Sequence, residues 1–350
     1  MELTSLPRPP LARARSVAVR AALGIFTGAI LVVAFLRLVN VGAVYHRLAH
    51  LKLGFALLCG VAFLGAYVVR AARWRWLLKP CEVSLGRVIA IYQVATFLNW
   101  LLPIRGGELA KSLLLRRTDG IAVSRSLATV GVDKIMDLLP AVVLLALIPF
   151  VHIRLSNALW LLLVSALVVV VSTGLLLAFA AWRRDRTMAV LERALAVVLP
   201  ARLRGAVGPF IARFVETLLA LIRQPRVLLV AGAYTAVAVC LDALFCLLAF
   251  RAVGATVAIP IVLYGYSFYN LAFILPTPPG QIGSNELVGL LIFSGVFGLG
   301  RSEVGAMFLF SHPWTALLMT ISGLLCLSFM GLTLRSALRM SQQRAAWQEP

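Results

Sequence analysis

Charged and amide side chains set inside long apolar stretches are the residues of this chain that could do chemistry. They are Arg105, Glu108, Lys111, Asp133, Lys134, Asp137, Asp242, Asn285 and Glu286. A charge at the centre of a bilayer costs roughly 2.5–3.5 kcal/mol on insertion scales, so such residues usually pair with one another or mark a pathway. The chemistry they indicate is electrostatic: binding a charged group or holding a buried ion pair.

The spacing of the acidic and basic residues predicts which of them share a helix face. Glu108 and Lys111 are three residues apart, so on a helix they could pair. Asp133 and Asp137 are four apart and also share a face. These two could serve a site, or they could complement the macrodipole at the start of a helix. The sequence leaves both interpretations open.

Asp242 stands alone within an apolar run. It could pair with His312 or Lys134, or it could carry a proton. The aromatic cluster at 264–270 is interpreted as an interfacial belt. The basic and tryptophan-rich stretch from Arg70 to Lys79 is interpreted as a membrane-boundary anchor.

Enzyme and metal signatures are not found. The five cysteines and four histidines are dispersed, and neither metal-ligand nor redox spacing occurs, so no metal or cofactor is predicted. The chain has no Gly-x-Ser-x-Gly and no phosphate-binding loop ending in Lys and Ser or Thr. We therefore assign no catalytic residue.

Two interruptions rich in glycine and proline must position most of the candidate side chains. The first runs from Asn99 through Pro103 to Lys111, and the second from Phe273 to Glu286. Neither can be regular helix, because proline removes a backbone donor and glycine tolerates left-handed geometry. At membrane depth such backbone survives only where it is buried in protein or lines a wet cavity. We predict two re-entrant hairpins; ordinary loops between spanning helices are the alternative.

The residues predicted to bind substrate are the polar, glycine and proline positions of these interruptions together with the acidic helix that follows the first. They are Asn99, Arg105, Gly107, Glu108, Lys111, Asp133, Lys134, Asp137, Pro276, Gly280, Gly283, Asn285 and Glu286.

Composition predicts an all-α polytopic membrane protein. The 350 residues are 61% hydrophobic and 13% charged, whereas soluble domains are about 45–50% apolar and about 25% charged. A net charge of +20 would suggest nucleic acid in a soluble protein. Here it is better explained by positive-inside anchoring and attraction to anionic lipid, so no nucleic-acid partner is expected.

The predicted topology has about six spanning helices and both termini in the cytoplasm. The spans are 21–39, 53–70, 127–149, 157–181, 227–250 and 304–333. Residues 1–20 and 334–350 are tails, 40–52 an external loop, and 183–226 an amphipathic cytoplasmic or interfacial segment. Residues 21–150 and 157–333 would form two repeats of opposite orientation, with one broken segment each. The alternative of eight spanning helices would move the basic group from Arg105 to Arg125 to the outside, against the positive-inside rule.

Four motifs in order resemble the lysylphosphatidylglycerol synthase transmembrane family of bacterial flippase-like proteins, over nearly the whole chain. The motifs are Arg73-Trp-Arg-Trp76, Asn99 through Lys111, Asp133-Lys134 with Asp137, and Pro276 through Glu286. The resemblance implies lipid movement between leaflets of a bacterial inner membrane. Its partner would be an anionic phospholipid, an aminoacylated lipid or a hopanoid, with an envelope-lipid enzyme as a further partner.

Two departures from the family pattern matter. The family commonly has Glu-Arg where this chain has Asp133-Lys134, which keeps the charges but loses the bidentate fork of arginine. The synthases also carry a soluble aminoacyl-transfer domain after the membrane part, and this sequence stops at Pro350. We therefore expect it not to be an enzyme.

The leading functional hypothesis is a translocator of a lipid or a lipid-linked group. Arg105 and Lys111 would bind an anionic headgroup, and Glu108 and Glu286 would pair with those cations or with a cationic substrate group. Two alternatives stay open: an integral-membrane transferase acting on a lipid-linked substrate, and a non-catalytic membrane partner of an envelope-lipid enzyme.

Overall fold

A computed structural model describes residues 26–101, 106–147, 157–198, 200–272, 277–334 and 336, and within these ranges the chain is helical with no strand. The predicted all-α class is confirmed. The helices are α1 (Phe26–Leu38), α2 (Val41–Ala49), α3 (Leu53–Leu77), α4 (Leu85–Leu101), α5 (Gly107–Asp119), α6 (Val123–Leu147), α7 (Asn157–Trp182), α8 (Arg184–Val198), α9 (Ala201–Ile222), α10 (Pro225–Ala252), α11 (Ile259–Ala272), α12 (Ser284–Leu290) and α13 (Arg301–Phe329). Pro279–Gln281 is a 3-10 turn, and Leu291–Val296 is π-helical.

Three helices in the described ranges are long and apolar enough to cross a membrane, namely α3, α10 and α13. At about 1.5 Å per residue each exceeds the roughly 30 Å of a hydrocarbon core. The number rises to five if two bent pairs, α1 with α2 and the second part of α7 with α8, each count as one span. The predicted span 127–149 lies in α6, which carries Asp133, Lys134 and Asp137 and is not among them.

The predicted external loop at 40–52 is wrong over most of its length. Residues 41–49 form α2, which meets α1 at 92°. Asn40 caps it, since its Oδ1 accepts a hydrogen bond from the Ala43 amide at 3.0 Å. The polar residues of this stretch therefore belong to a short helix with Val44 buried toward the core.

The amphipathic segment predicted at 183–226 contains two helices. α8 leaves the end of α7 at 101°, and α9 packs against α6. On α8 both the apolar side chains Val190 and Val197 and the charged side chain Arg186 are exposed. Such a helix has the composition of one that lies in the membrane surface.

The first interruption is the turn of a closed helical hairpin. α4 and α5 run side by side. This is shown at one end by the ion pair between Arg87, near the start of α4, and Asp119, at the end of α5, at 2.5 Å. At the other end, the Gly107 amide donates to Asn99 Oδ1 at 2.7 Å. Arg75 Nε donates to the Val83 carbonyl at 2.7 Å, so the base of this hairpin lies at the C-terminal end of α3.

The second interruption turns a hairpin made by α11 and α12, and its base lies at the opposite end of α3. The Lys52 amide, just before α3, donates to the Ala252 carbonyl at the end of α10 at 2.9 Å. Arg47 donates to the Val253 carbonyl at 3.3 Å and pairs with Glu303 at the start of α13 at 3.0 Å. The chain therefore enters and leaves this hairpin on one side.

The two hairpins thus point at each other from opposite ends of α3, which is the geometry predicted for opposed re-entrant segments. Residues 102–105 and 273–276, which include Pro103 and Pro276, lie outside the described residues. The division of the chain into two inverted repeats stays a prediction.

Candidate functional site

A cavity of about 560 Å³ lies where the tips of the two hairpins meet. Trp100 lies near the C-terminal end of α4, in the first hairpin, and faces the second tip. A Cβ built on Gly280 would lie 3.8 Å from the Trp100 ring. The polar and charged side chains that line the cavity come from both halves of the chain. They include Arg70, Arg73, Tyr92, Asn99, Glu108, Lys111, Lys134, Asp137, Thr235, Asp242, Gln281, Asn285 and His312.

Arg73 is the centre of the charged network. Its side chain is 1% exposed. Nε donates to Asp133 Oδ1 at 2.8 Å, Nη1 to Thr235 Oγ1 at 2.9 Å, and Nη2 to Asp137 Oδ1 at 2.6 Å. Nη2 also reaches the Asp133 carbonyl at 3.2 Å. One planar guanidinium therefore ties α3 to α6 and α10, which is the fork geometry that arginine provides and lysine does not.

Arg70 lies one helical turn earlier on α3 and faces α10. It makes a bidentate pair with Asp242, with contacts of 3.2 and 2.5 Å. Its Nε is also 3.6 Å from Asp137 Oδ1. The predicted partners of Asp242, His312 and Lys134, were wrong: an arginine from a distant helix compensates this carboxylate.

Glu108 connects the first hairpin to this network. Its Oε1 lies 2.9 Å from Lys134 Nζ and accepts from Asn99 Nδ2 at 3.1 Å. Its Oε2 lies 3.0 Å from Lys111 Nζ, so the pairing predicted from their spacing is formed. Lys111 in turn is 3.6 Å from Asp133 Oδ2.

The Lys111 ammonium is buried with an unusual set of neighbours. Its side chain is 1% exposed, and Nζ sits 3.6 Å from the centroid of the Tyr92 ring. Glu108 Oε2 at 3.0 Å and Asp133 Oδ2 at 3.6 Å compensate the charge, and the Tyr92 ring adds a cation–π contact.

Charges in the network balance. Among the described residues its members are four cations, Arg70, Arg73, Lys111 and Lys134, and four carboxylates, Glu108, Asp133, Asp137 and Asp242. Buried charges persist only when they are paired and hydrogen-bonded. The formal charge of the network is zero, so the cavity is polar without being basic.

The second tip is held against α13 by Glu286 and His312. Glu286 Oε2 accepts from the Gly283 amide at 2.8 Å, which closes the start of α12. Glu286 Oε1 lies 2.5 Å from His312 Nδ1, and His312 Nε2 lies 2.8 Å from the Gly280 carbonyl. Gly280 and Gly283 have φ of +66° and +77°, which glycine adopts without strain.

Comparison with known families adds the class of protein. A family model described as "Lysylphosphatidylglycerol synthase TM region" matches residues 18–323. The chain belongs to this family. Among curated proteins and among solved structures, none matches the chain significantly. Family membership and the apolar helices together identify a multi-pass membrane protein with a membrane-lipid-related role.

Most residues predicted as the substrate site of this family member are brought to one place. Asn99, Glu108, Lys111, Lys134, Asp137 and Asn285 line the cavity. Asp133 is fully buried and does not line the cavity; it pairs with Arg73 and Lys111, which do. Gly107, Gly280, Gly283 and Glu286 shape the two tips, whereas Arg105 and Pro276 lie outside the described residues.

The macrodipole interpretation of Asp133 and Asp137 is wrong. α6 begins at Val123, so these carboxylates lie well beyond its first turn, where the dipole's effect has fallen off. Their position is explained by Arg73, which reaches both.

Sequence reasoning missed Arg70, Arg73, Tyr92, Thr235 and the pairing of His312. Arg70 and Arg73 were interpreted as part of the membrane-boundary anchor. Their spacing of three residues, which places both on one helix face, was the signal that could have identified them. The aromatic-belt interpretation of 264–270 was also wrong in part, because Tyr266 and Tyr269 stack at 5.5 Å and line the cavity.

Proposed function

We propose that this protein moves a membrane lipid, or a lipid-linked group, between the leaflets of a bacterial inner membrane, and that it does so without enzymatic chemistry. One observation carries the proposal: a polar, charge-balanced cavity lies where two opposed hairpin tips meet inside an apolar helical bundle. The headgroup would pass through the cavity while the acyl chains stay in the surrounding lipid.

The size and lining of the cavity suit a headgroup. Ligand cavities commonly have volumes of about 300–1,000 Å³, and this one is about 560 Å³. A charged headgroup loses its hydration in hydrocarbon at a cost of several kcal/mol. Arginine, lysine, carboxylate and amide side chains replace the lost water, which lowers that cost.

The opposed hairpins suggest how access could alternate. Sites between two broken segments of opposite orientation are characteristic of transporters that open to each side in turn. The first tip closes the cavity from the side of Arg75, and the second closes it from the side of Lys52. Movement of either tip alone would open the cavity to one side.

Charge exchange within the network would allow a charged headgroup to bind. The Lys134 side chain is 48% exposed, and that of Glu108 is 22% exposed, so this pair is the accessible edge of the network. An anionic group would displace Glu108 from Lys134 and Lys111. A cationic group would bind Glu108 or Asp137 instead. In either case the incoming charge is paired, and a displaced Glu108 would keep the Asn99 amide as its donor.

Reconstitution tests the proposal. Purified full-length protein in liposomes should accelerate the loss of leaflet asymmetry of a fluorescent lipid, assayed with anionic, aminoacylated, zwitterionic and hopanoid probes. Glu108→Gln should slow the movement about tenfold to hundredfold, because a charge-assisted contact contributes about 1.5–3 kcal/mol. Glu192→Gln, which removes an exposed carboxylate on α8, is the matched control and should behave as wild type.

Three outcomes separate the alternatives. No acceleration for any probe refutes translocation. A new covalent lipid product, seen by mass spectrometry of the same liposomes, would indicate a transferase. Wild-type behaviour of Glu108→Gln in an active preparation would remove Glu108 from the translocation site.

A further inference from the structure

The contact between the second hairpin tip and α13 is a chain of three hydrogen bonds through Glu286 and His312. The links are Gly283 N–H to Glu286, Glu286 to His312, and His312 to the Gly280 carbonyl, at 2.8, 2.5 and 2.8 Å. The Glu286 and His312 side chains are 8% and 9% exposed. His312 borders the cavity, so water that fills the cavity can reach it.

The donor and acceptor roles of these groups determine how many protons the three hydrogen bonds hold. The Gly280 carbonyl can only accept, so His312 Nε2 carries a hydrogen. The contact of 2.5 Å between His312 Nδ1 and Glu286 Oε1 then needs one more proton between the two atoms. The pair is either imidazolium with carboxylate or neutral imidazole with carboxylic acid. Both forms hold the same single proton.

Loss of that proton would break one link between the tip and α13. The neutral imidazole that remains carries one N–H, so either Nδ1 and Glu286 Oε1, at 2.5 Å, or Nε2 and the Gly280 carbonyl, at 2.8 Å, would face each other as two acceptors. Buried acceptors that face each other without a donor are strongly disfavoured. The tip that carries Gly280 would therefore separate from α13.

We propose that Glu286 and His312 form a proton-binding site that latches the second hairpin tip to α13, so that lipid movement is coupled to proton movement. The coupling rests on the proposed translocation; the latch does not. Proton binding closes this side of the cavity, and proton release opens it.

Among the described residues, Glu286 forms no ion pair other than the one with His312. Tyr269 on α11 is close enough to Glu286 to interact with it electrostatically. Across the cavity, Arg70 on α3 is paired with Asp242 on α10. On α1, the neighbours of the tip are Gly28, Leu31 and Val32, and on α4 they are Asn99 and Trp100, none of which titrates. Arg105 lies between α4 and α5, outside the described residues.

Cysteine labelling measures the latch without any transport. Gln281 lines the cavity within the second tip, so Gln281→Cys, in a chain lacking the native cysteines, reports opening by its rate of reaction with a maleimide. The same cysteine combined with Glu286→Gln is the reference at each pH, which cancels the ionisation of the thiol. With neutral His312, the amide introduced by Glu286→Gln can accept from the Gly283 N–H and donate to His312 Nδ1, so the reference stays latched without the shared proton.

The expected result is a ratio of the two labelling rates that rises several-fold as the pH of the labelling buffer is raised from about 5 to about 9. Glu192→Gln added to the Gln281→Cys chain should leave the rise of the ratio unchanged. His312→Ala removes the link, so Gln281→Cys combined with His312→Ala should label faster than the reference at every pH. Monodisperse elution of each variant checks that it is folded. A ratio that stays flat overturns the proposal.

Transport separates this proposal from the function on which the coupling rests. Lipid movement by wild type should respond to an imposed pH gradient, and Glu286→Gln should lose that response. If lipid movement is independent of the pH gradient and the labelling ratio is flat, the proton site is refuted and translocation is not. If the labelling ratio depends on pH but no probe lipid is moved, translocation is refuted and the latch is not.

Discussion

Removal of the Arg73 guanidinium tests the buried network most directly. Arg73→Met keeps an unbranched, flexible stem and deletes the guanidinium with its charge. The side chain is 1% exposed, and Asp133, its main partner, is 0% exposed. Breaking a buried ion pair by removing one partner costs about 3–5 kcal/mol, because the other charge stays buried without compensation.

The remaining contacts place the expected loss near the lower end of that range. Asp133 keeps the Tyr92 hydroxyl at 3.3 Å and Lys111 at 3.6 Å. Asp137 keeps Lys134 at 3.4 Å. We therefore expect Arg73→Met to lower the free energy of unfolding by about 3 kcal/mol.

Reversible unfolding by SDS titration in mixed micelles measures this loss. Arg186→Met, at an exposed position of α8, is the matched control and should change the free energy of unfolding by no more than about 0.5 kcal/mol. Adding Asp133→Asn to Arg73→Met neutralises the carboxylate left behind. The double variant should recover stability, with a coupling of about 1–3 kcal/mol between the two positions.

The result that refutes this reasoning is a loss of less than about 0.5 kcal/mol for Arg73→Met, since that is the behaviour of a surface residue. The guanidinium would then not be compensating buried carboxylates. Additive single and double variants would refute the specific pairing of Arg73 with Asp133.

Two other predictions concern the hairpins. A Cβ on Gly107 would lie 2.1 Å from the Ala95 carbonyl oxygen, so Gly107→Ala should destabilise the protein by about 1–3 kcal/mol or more; the same SDS titration applies, with Gly174→Ala, which meets open space, as control. Cysteines at Gly86 and Thr256, beside the bases of the first and second hairpins, should label with an impermeant maleimide from opposite sides of intact vesicles. Labelling from the same side would contradict opposed hairpins.

The sequence was sufficient to predict the local features of the site. Charges in an apolar chain must be compensated, so Glu108, Lys111, Asp133 and Asp137 could be recognised as a set before any fold was known. The spacing of Glu108 and Lys111 correctly predicted their pairing. Glycine and proline likewise marked both hairpin turns, because these residues cannot continue a regular helix.

The partners of Asp242 and Glu286 could not be predicted in the same way. Arg70 pairs with a carboxylate 172 positions away, and His312 with one 26 positions away. Such pairs depend on how helices are rotated and shifted against each other. α3 and α10 are apolar over most of their circumference, so their sequences do not show which face turns inward.

From the sequence alone, the class of protein and the need for compensated charges inside the membrane follow, because both depend on composition and on spacing within one helix. Only the tertiary structure decided that, among the described residues, four cations and four carboxylates from distant helices balance each other and a histidine meets Glu286. The reason is physical. Contacts between helices are set by packing of the whole bundle, whereas the residue pattern of one helix specifies only its own faces.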